Sequence, residues 1–441
     1  MTDSERHESV YGAASGFIEH HRARVVSAER RAREIRELVT AHDRWRRSCC
    51  LNLTPAENTL SRRASALLDS DLATRVTEGL PGDKEYPAGI QNQYIDAIEA
   101  TLIAEVAALF DAPFVEWRPV STTMANAVVF FALAERGERL LVQSREAGGN
   151  YSYQQGAIPG LAGLQVHPIP ARGDLFDLDV SACRSLAHEL RPRLIVIGGS
   201  YALFPSPVAE LAEIAHEIGA LLVVDMAHTA LFAATGHWPN PLDQGADVIT
   251  LSTHKVMGGP VGGMVLTRDP AIARRIVGLT FPAFMQTRDQ NKYAAAAHAM
   301  CEMRAFGQQY AQAMLDNSMA LGTALQACGF KPLHDARGYS MSHLLVVDLK
   351  PFDARDVCRR WQAANILLSA EHLARDVPGH PTGVRLTVQE VTRRGMGVEA
   401  MKQIARWMAA IAIDRVEPQA LAAEIERFVA AHSRLHYSFD E

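Results

Sequence analysis

The sequence predicts an α/β protein with a mostly parallel sheet, followed by a smaller C-terminal α+β domain. Three observations carry that expectation. Residues 221–224 (LLVV) form an apolar run that ends on Asp225, the pattern of a buried strand with an acid at its tip, where open α/β sheets keep their ligands. A second apolar run, 248–251, leads through Ser252, Thr253, His254 and Lys255 into a turn at Gly258, Gly259 and Pro260. Further on, strands expected at 344–347 and 383–388 flank a helical segment at 353–365, which together make the α+β unit.

An acid at one strand end and a lysine on the turn after the next strand are what pyridoxal 5'-phosphate (PLP) asks of a protein. The lysine forms a Schiff base and the carboxylate faces the pyridinium nitrogen. The segment DMAH, followed in order by THK and GPVGG, resembles the core of serine hydroxymethyltransferase, a fold-type I (aspartate aminotransferase-like) PLP enzyme. The likeness runs from residues 51 to 395, and VQEVTRRGM resembles the L-threonine transaldolase branch of that family. It implies that Lys255 bears the cofactor, that Asp225 pairs with the ring nitrogen, that His228 lies near the cofactor as a catalytic residue, and that Ser252 and His254 help bind it.

Composition excludes other classes. The 441 residues are 48% hydrophobic and 21% charged, which is globular rather than disordered, and a net charge of −6 gives no basic surface for nucleic acid. Six cysteines without C-x-x-C spacing read as reduced thiols of a cytoplasmic protein, with no metal site. The start, MTDSERHESV, has no apolar core of a signal peptide, and the apolar run 127–134 is too short to span a bilayer.

In chain order, residues 14–46 predict an arginine-rich helical arm with interleaved acids, which in the resembled family clasps a partner subunit; the arm is set at 1–48. A large domain at 49–290 follows. Its segment LNLTPAEN matches the family's stretch over the substrate carboxylate, with Glu57 toward substrate and Ala56 in place of a serine. TEGLPGDKEYPAG matches the next family motif. There Glu78 corresponds to the glutamate that moves a proton during C–C cleavage and Tyr86 to a substrate-side tyrosine, while Val76 and Glu85 replace two tyrosines.

Residues 91–110 have the apolar spacing of a core helix, and 117–120 predict a strand. Ser121, Thr122 and Thr123 then open the apolar helix 125–134, where free N–H groups and hydroxyls suit a phosphate; the resemblance makes this the phosphate cup. In SREAGGNYSY, Ala147 stands where the family stacks a histidine on the ring, so that Asn150, Tyr151 or Tyr153 replaces it or the stacking partner is absent. Strand 194–197 leads to Ser200, matched to a residue near the cofactor's 3-hydroxyl, and in FPAFMQTRDQ Arg288 takes the place of glycines that in the resembled family cross the dimer interface to the neighbour's phosphate.

Residues 291–441 comprise a long helix over 291–328 and the C-terminal domain. Arg385 sits mid-strand, where a charge needs an anion, and corresponds to the family's carboxylate-binding arginine. The resemblance further implies an amino-acid substrate, a homodimer with a shared active site, and cleavage of a threonine- or serine-like β-hydroxy-α-amino acid through a glycine quinonoid. Glu85 and the segment 367–376 (LLSAEHLARD) lack the family's folate contacts. They favour an aldolase or transaldolase with an aldehyde acceptor over a tetrahydrofolate-dependent serine or α-methylserine hydroxymethyltransferase. A non-catalytic PLP-binding subunit is the alternative of another class.

Overall fold

Strand pairing sets the architecture of this chain, which a computed structural model describes at residues 10, 12–24, 26–173, 176–374 and 376–439. The first nine residues of the amino-terminal segment read above lie outside the described residues. The arm is two helices, Ser15–Ala23 and Ala28–Ser48, rather than one. Ser27 caps the second by accepting from Arg30 N, and its charges pair along the helix, as in Glu29 with Arg33 at 2.5 Å. Ile35, Leu38 and Val39 stay exposed on it.

β1 (Leu51–Asn52) is followed by a hairpin of β2 (Glu78–Leu80) and β3 (Asp83–Tyr86). Next come β4 (Phe114–Glu116), β5 (Arg139–Gln143), β6 (Gln165–Ile169), β7 (Leu194–Gly198), β8 (Leu221–Asp225), β9 (Val248–Ser252) and β10 (Gly263–Thr267). These seven form one sheet in the order β4-β10-β9-β8-β7-β5-β6, in which only the β10 pairings are antiparallel. The central strands alternate faces. Leu140, Val142, Val196 and Val223 pack with the helix Thr122–Leu133, while Leu141, Ile197, Val224 and Leu251 join the larger core with the long helix Gln290–Ala327.

The strand expected at 117–120 lies earlier, at Phe114–Glu116. Arg118 turns back on Glu116, donating to its carboxylate from the backbone N at 3.0 Å and from Nε at 2.7 Å, which ends the strand.

Beyond the long helix, β11 (Lys331–Pro332), β12 (Leu344–Asp348), β13 (Ile366–Leu367), β14 (Ala370–Glu371) and β15 (Gly383–Thr387) complete the strands. Four of them make an antiparallel sheet in the order β11-β12-β15-β14, and β13 pairs in parallel with β1. Among the described residues, no helix is long and apolar enough to cross a membrane.

A buried ion pair joins the two regions. Arg393, just after β15, donates to Glu302 of the long helix at 2.6 Å, both side chains being fully buried. It also donates to the carbonyl of Gly258 at 3.4 Å. Gly258 has φ +61°, and a Cβ there would collide with the guanidinium, so only glycine fits that turn. Removing one partner of such a pair strands a buried charge. Arg393→Ala should lower the unfolding free energy by about 3–5 kcal/mol in urea titrations, with part recovered when Glu302→Gln is added; an unchanged midpoint would mean that the pair is solvated.

Candidate active site

The ends of β8 and β9 bring an acid and an amine into one pocket. Asp225 closes β8, buried, and its carboxylate accepts from Asn126 Nδ2 at 3.0 Å and from Ala227 N at 2.9 Å. Thr250 Oγ1 donates to Asn126 Oδ1 at 2.8 Å, which orients the amide with its NH2 toward the acid. Burial raises the Asp225 pKa above the usual carboxylate value, while these donors and the charge of Lys255 oppose the rise.

Lys255 follows β9 on a turn closed by Gly259 N donating to Thr253 O at 2.7 Å and Thr253 Oγ1 donating to Pro260 O at 2.5 Å. Asn58 donates to the Lys255 carbonyl at 2.7 Å and so pins the turn from outside. Burial brings the lysine pKa down from 10.5 to about 8, with Asp225 resisting and Arg385 adding to the fall. Its Nζ lies 3.2 Å from His228 Nε2. Burial, and then Lys255, hold His228 well below the ordinary histidine pKa, so the ring is neutral. Nε2 then accepts from the lysine and the proton sits on Nδ1, a buried atom without a partner.

Behind His228 the rings of His343 (5.7 Å, 13°) and then Phe232 (5.9 Å, 20°) are stacked. His343 and Asn126 were not singled out from the sequence. A histidine opening the apolar run 344–347 was the available signal for the first, and the asparagine one turn into STTMAN for the second.

The expected phosphate cup lies beside this pocket. Ser121 Oγ accepts from Met124 N at 3.1 Å as a helix cap, Thr122 Oγ1 bonds Ser252 Oγ, and Thr123 faces outward. Gly263 lets β10 run against the Ser121–Thr122 backbone, which any Cβ would strike.

Ser200 accepts from Asn150 Nδ2 at 3.0 Å, and its carbonyl takes a short bond from Arg385 Nη1. Arg385 also lies 3.6 Å from Glu371 and 5.0 Å from the Tyr201 ring, while its Nε is buried without a partner. Of the residues around Ala147, Asn150 thus reaches the site. Tyr153 is fully buried beneath it on the Gly198 carbonyl, and Tyr151 is exposed.

Other expected residues lie elsewhere within one chain. Glu57 pairs with Arg46 of the arm and accepts from Asn52 Nδ2 at 3.0 Å, an amide shared with Glu390 at 2.6 Å, so it is held away from Arg385. His254 lines a cleft of about 820 Å³ together with Arg46, Glu57 and Gly259. Burial, then Lys255, lower its pKa to about 4.

Arg288, expected to reach a neighbour's phosphate, is turned inward. It donates to Thr77 O at 2.9 Å and Gly79 O at 3.2 Å and lies 3.6 Å from fully buried Glu99, which also pairs with Lys84. The cause is electrostatic: a carboxylate buried in the core needs cations. Glu78 is half-buried and Tyr86 is 63% exposed on the β2–β3 hairpin. Among the described residues, no hydrogen bond or ion pair ties Glu78 to Lys255 or Arg385.

The serine hydroxymethyltransferase family profile matches residues 29–408. The chain belongs to that family. It is similar to the serine hydroxymethyltransferases of Staphylothermus marinus (34% identity, 92% of this chain and 93% of the relative) and Pyrobaculum neutrophilum (35%, 92% and 94%). Among solved structures it is similar to the L-threonine transaldolase from Pseudomonas fluorescens in its internal aldimine state. The TM-score there is 0.84 at 22% identity over 93% of this chain and 95% of that one, a likeness of fold.

This hydroxymethyltransferase-family chain is therefore a PLP-dependent fold-type I enzyme. The pocket fits the cofactor. It holds a buried acid for a ring nitrogen, a lysine of depressed pKa, the orphaned His228 Nδ1, and a helix start that Gly263 lets sit against the sheet. In cofactor-free protein, labelling of Lys255 by an amine acylating reagent, followed by peptide mapping, should be half-maximal near pH 8. Labelling that rises only near the ordinary lysine value of about 10.4 would show that the pocket does not depress it.

Proposed function

We propose that this enzyme cleaves the Cα–Cβ bond of a threonine- or serine-like β-hydroxy-α-amino acid without folate and passes the glycyl unit to an aldehyde. The observation that carries the proposal is Arg385, a guanidinium with an unpartnered buried Nε in the same pocket as Lys255 and Asp225. Nε and Nη2 offer the side-on fork that takes a carboxylate. PLP, when bound, supplies the sink for the electrons of the broken bond.

The chain's own groups do the rest. Asp225 would keep a proton on the ring nitrogen, Asn126 and the Ala227 N–H keep the acid aimed, and the neutral His228 orients Lys255 as a hydrogen-bond acceptor at 3.2 Å. Ser121, Thr122 and Ser252 would hold the phosphate end, with Thr123 turned outward, and Ser200 would border the ring.

Glu78 takes the substrate hydroxyl proton from across a dimer interface. Its hairpin and the helix beside it expose Tyr86 (63%), Ile90 (81%) and Tyr94 (74%), an apolar face that supports burial against a second copy. The six cysteines, all free, support a cytoplasmic location.

Folate independence is supported by the segment 367–376, where Glu371 and the His372 carbonyl are both engaged with the Tyr201 hydroxyl and no neutral amide is offered to a pterin. The tetrahydrofolate-dependent reaction is the second reading, favoured by the names of the relatives at 34–35% identity.

Purified enzyme with threonine alone should release acetaldehyde, read by coupling to alcohol dehydrogenase, and added benzaldehyde should be captured as a new β-hydroxy amino acid. Turnover of serine only when tetrahydrofolate is present, with no acetaldehyde from threonine, would replace the transaldolase by the hydroxymethyltransferase. Arg385→Ala should weaken threonine binding by tens-fold or more, on the order of 2–5 kcal/mol for a charge-assisted pair, with the cofactor absorbance kept.

A further inference from the structure

Arg385 already has an anion beside it. Its Nη2 lies 3.6 Å from Glu371 Oε1, and Nη1 is taken by the Ser200 carbonyl. The Glu371 carboxylate is held in that position from the far side, because Tyr201 OH donates to Oε2 at 3.1 Å. The Tyr201 ring lies under the Arg385 guanidinium at 5.0 Å and is backed by Phe176, stacked at 4.3 Å and 11°. The tyrosine is thus fixed by packing, and the acid by the tyrosine. Arg385 is only 12% exposed and Glu371 34%, so their attraction is less screened than that of a surface pair.

The geometry of the fork sets up a competition. A carboxylate arriving side-on needs Nε and Nη2 together. Nε is buried and unpartnered, whereas Nη2 is the atom that faces Glu371. We propose that Glu371 is the resident counter-ion of Arg385, which the substrate carboxylate must displace, and that it thereby sets amino-acid affinity.

This inference rests on Arg385 being the carboxylate-binding residue. In the unliganded chain Glu371 neutralises a guanidinium that would otherwise sit uncompensated in the middle of a sheet. Once the substrate is in place, the same acid stands as a second anion next to the bound carboxylate and favours its release.

Holoenzyme is titrated with glycine, and separately with ethanolamine, which carries the amine without a carboxylate; binding is read from the cofactor absorbance. Glu371→Gln, which keeps the shape and can still accept from Tyr201, should tighten glycine about tenfold and leave ethanolamine unchanged. Glu371→Asp, whose shorter carboxylate stands farther from Nη2, should tighten glycine by less and serves if the glutamine variant folds poorly. Glycine affinity that is unchanged or weaker in both variants overturns the inference, as does an equal shift for ethanolamine. Arg385→Ala separates the two levels. If it leaves glycine binding untouched, the assignment of Arg385 fails; if it weakens binding while the Glu371 variants do nothing, only the counter-ion role fails.

Discussion

A carboxylate without water governs this molecule. Asp225 ends a strand that has neighbours on both sides, and its charge is kept by an amide, a backbone N–H and the nearby Lys255. Each donor is itself held. Asn126 cannot flip because Thr250 takes its oxygen, and Thr250 is carried by β9, the same strand that delivers Lys255. Acid and amine are therefore positioned by one hydrogen-bonded unit across adjacent parallel strands, and the sheet supplies the rigidity that a loop could not.

Burial acts on the two groups in opposite senses, and that is its chemical use. It raises the acid and lowers the amine, so each is moved toward the neutral range by the same loss of water. His228 follows the same logic. A charged imidazole next to the lysine would repel it, and burial removes that charge, leaving an acceptor 3.2 Å away. The His343 and Phe232 rings behind it exclude water from that side.

Much of this was legible in the sequence, because strand-end chemistry is local. Asp225, Lys255 and the turn glycines are specified by short local runs, and the two central strands of the C-terminal sheet, 344–348 and 383–387, could be read from the sequence in the same local way. What was not legible depends on distant partners. Arg288 reads as a free cation near a phosphate, yet the acid that captures it, Glu99, lies on a helix whose apolar spacing hides it. Glu57 is diverted by Arg46 of the arm, and the strand before Ser121 is shortened by the Arg118–Glu116 pair. In each case an ion pair, invisible to periodicity, decided the outcome.

The Arg393 latch bears on how the enzyme is made. Gly258 and Arg393 are 135 residues apart, and the latch also requires Glu302 between them. On the ribosome the lysine turn emerges long before the guanidinium that fills the space above its left-handed glycine. A nascent chain stalled short of Arg393 has its acid, its amine and the Asn58 contact, but lacks the guanidinium that braces the left-handed glycine of the lysine turn. A truncation that removes Arg393 but keeps Arg385 thus takes one brace from the lysine turn from a distance, without removing a residue that faces the amine.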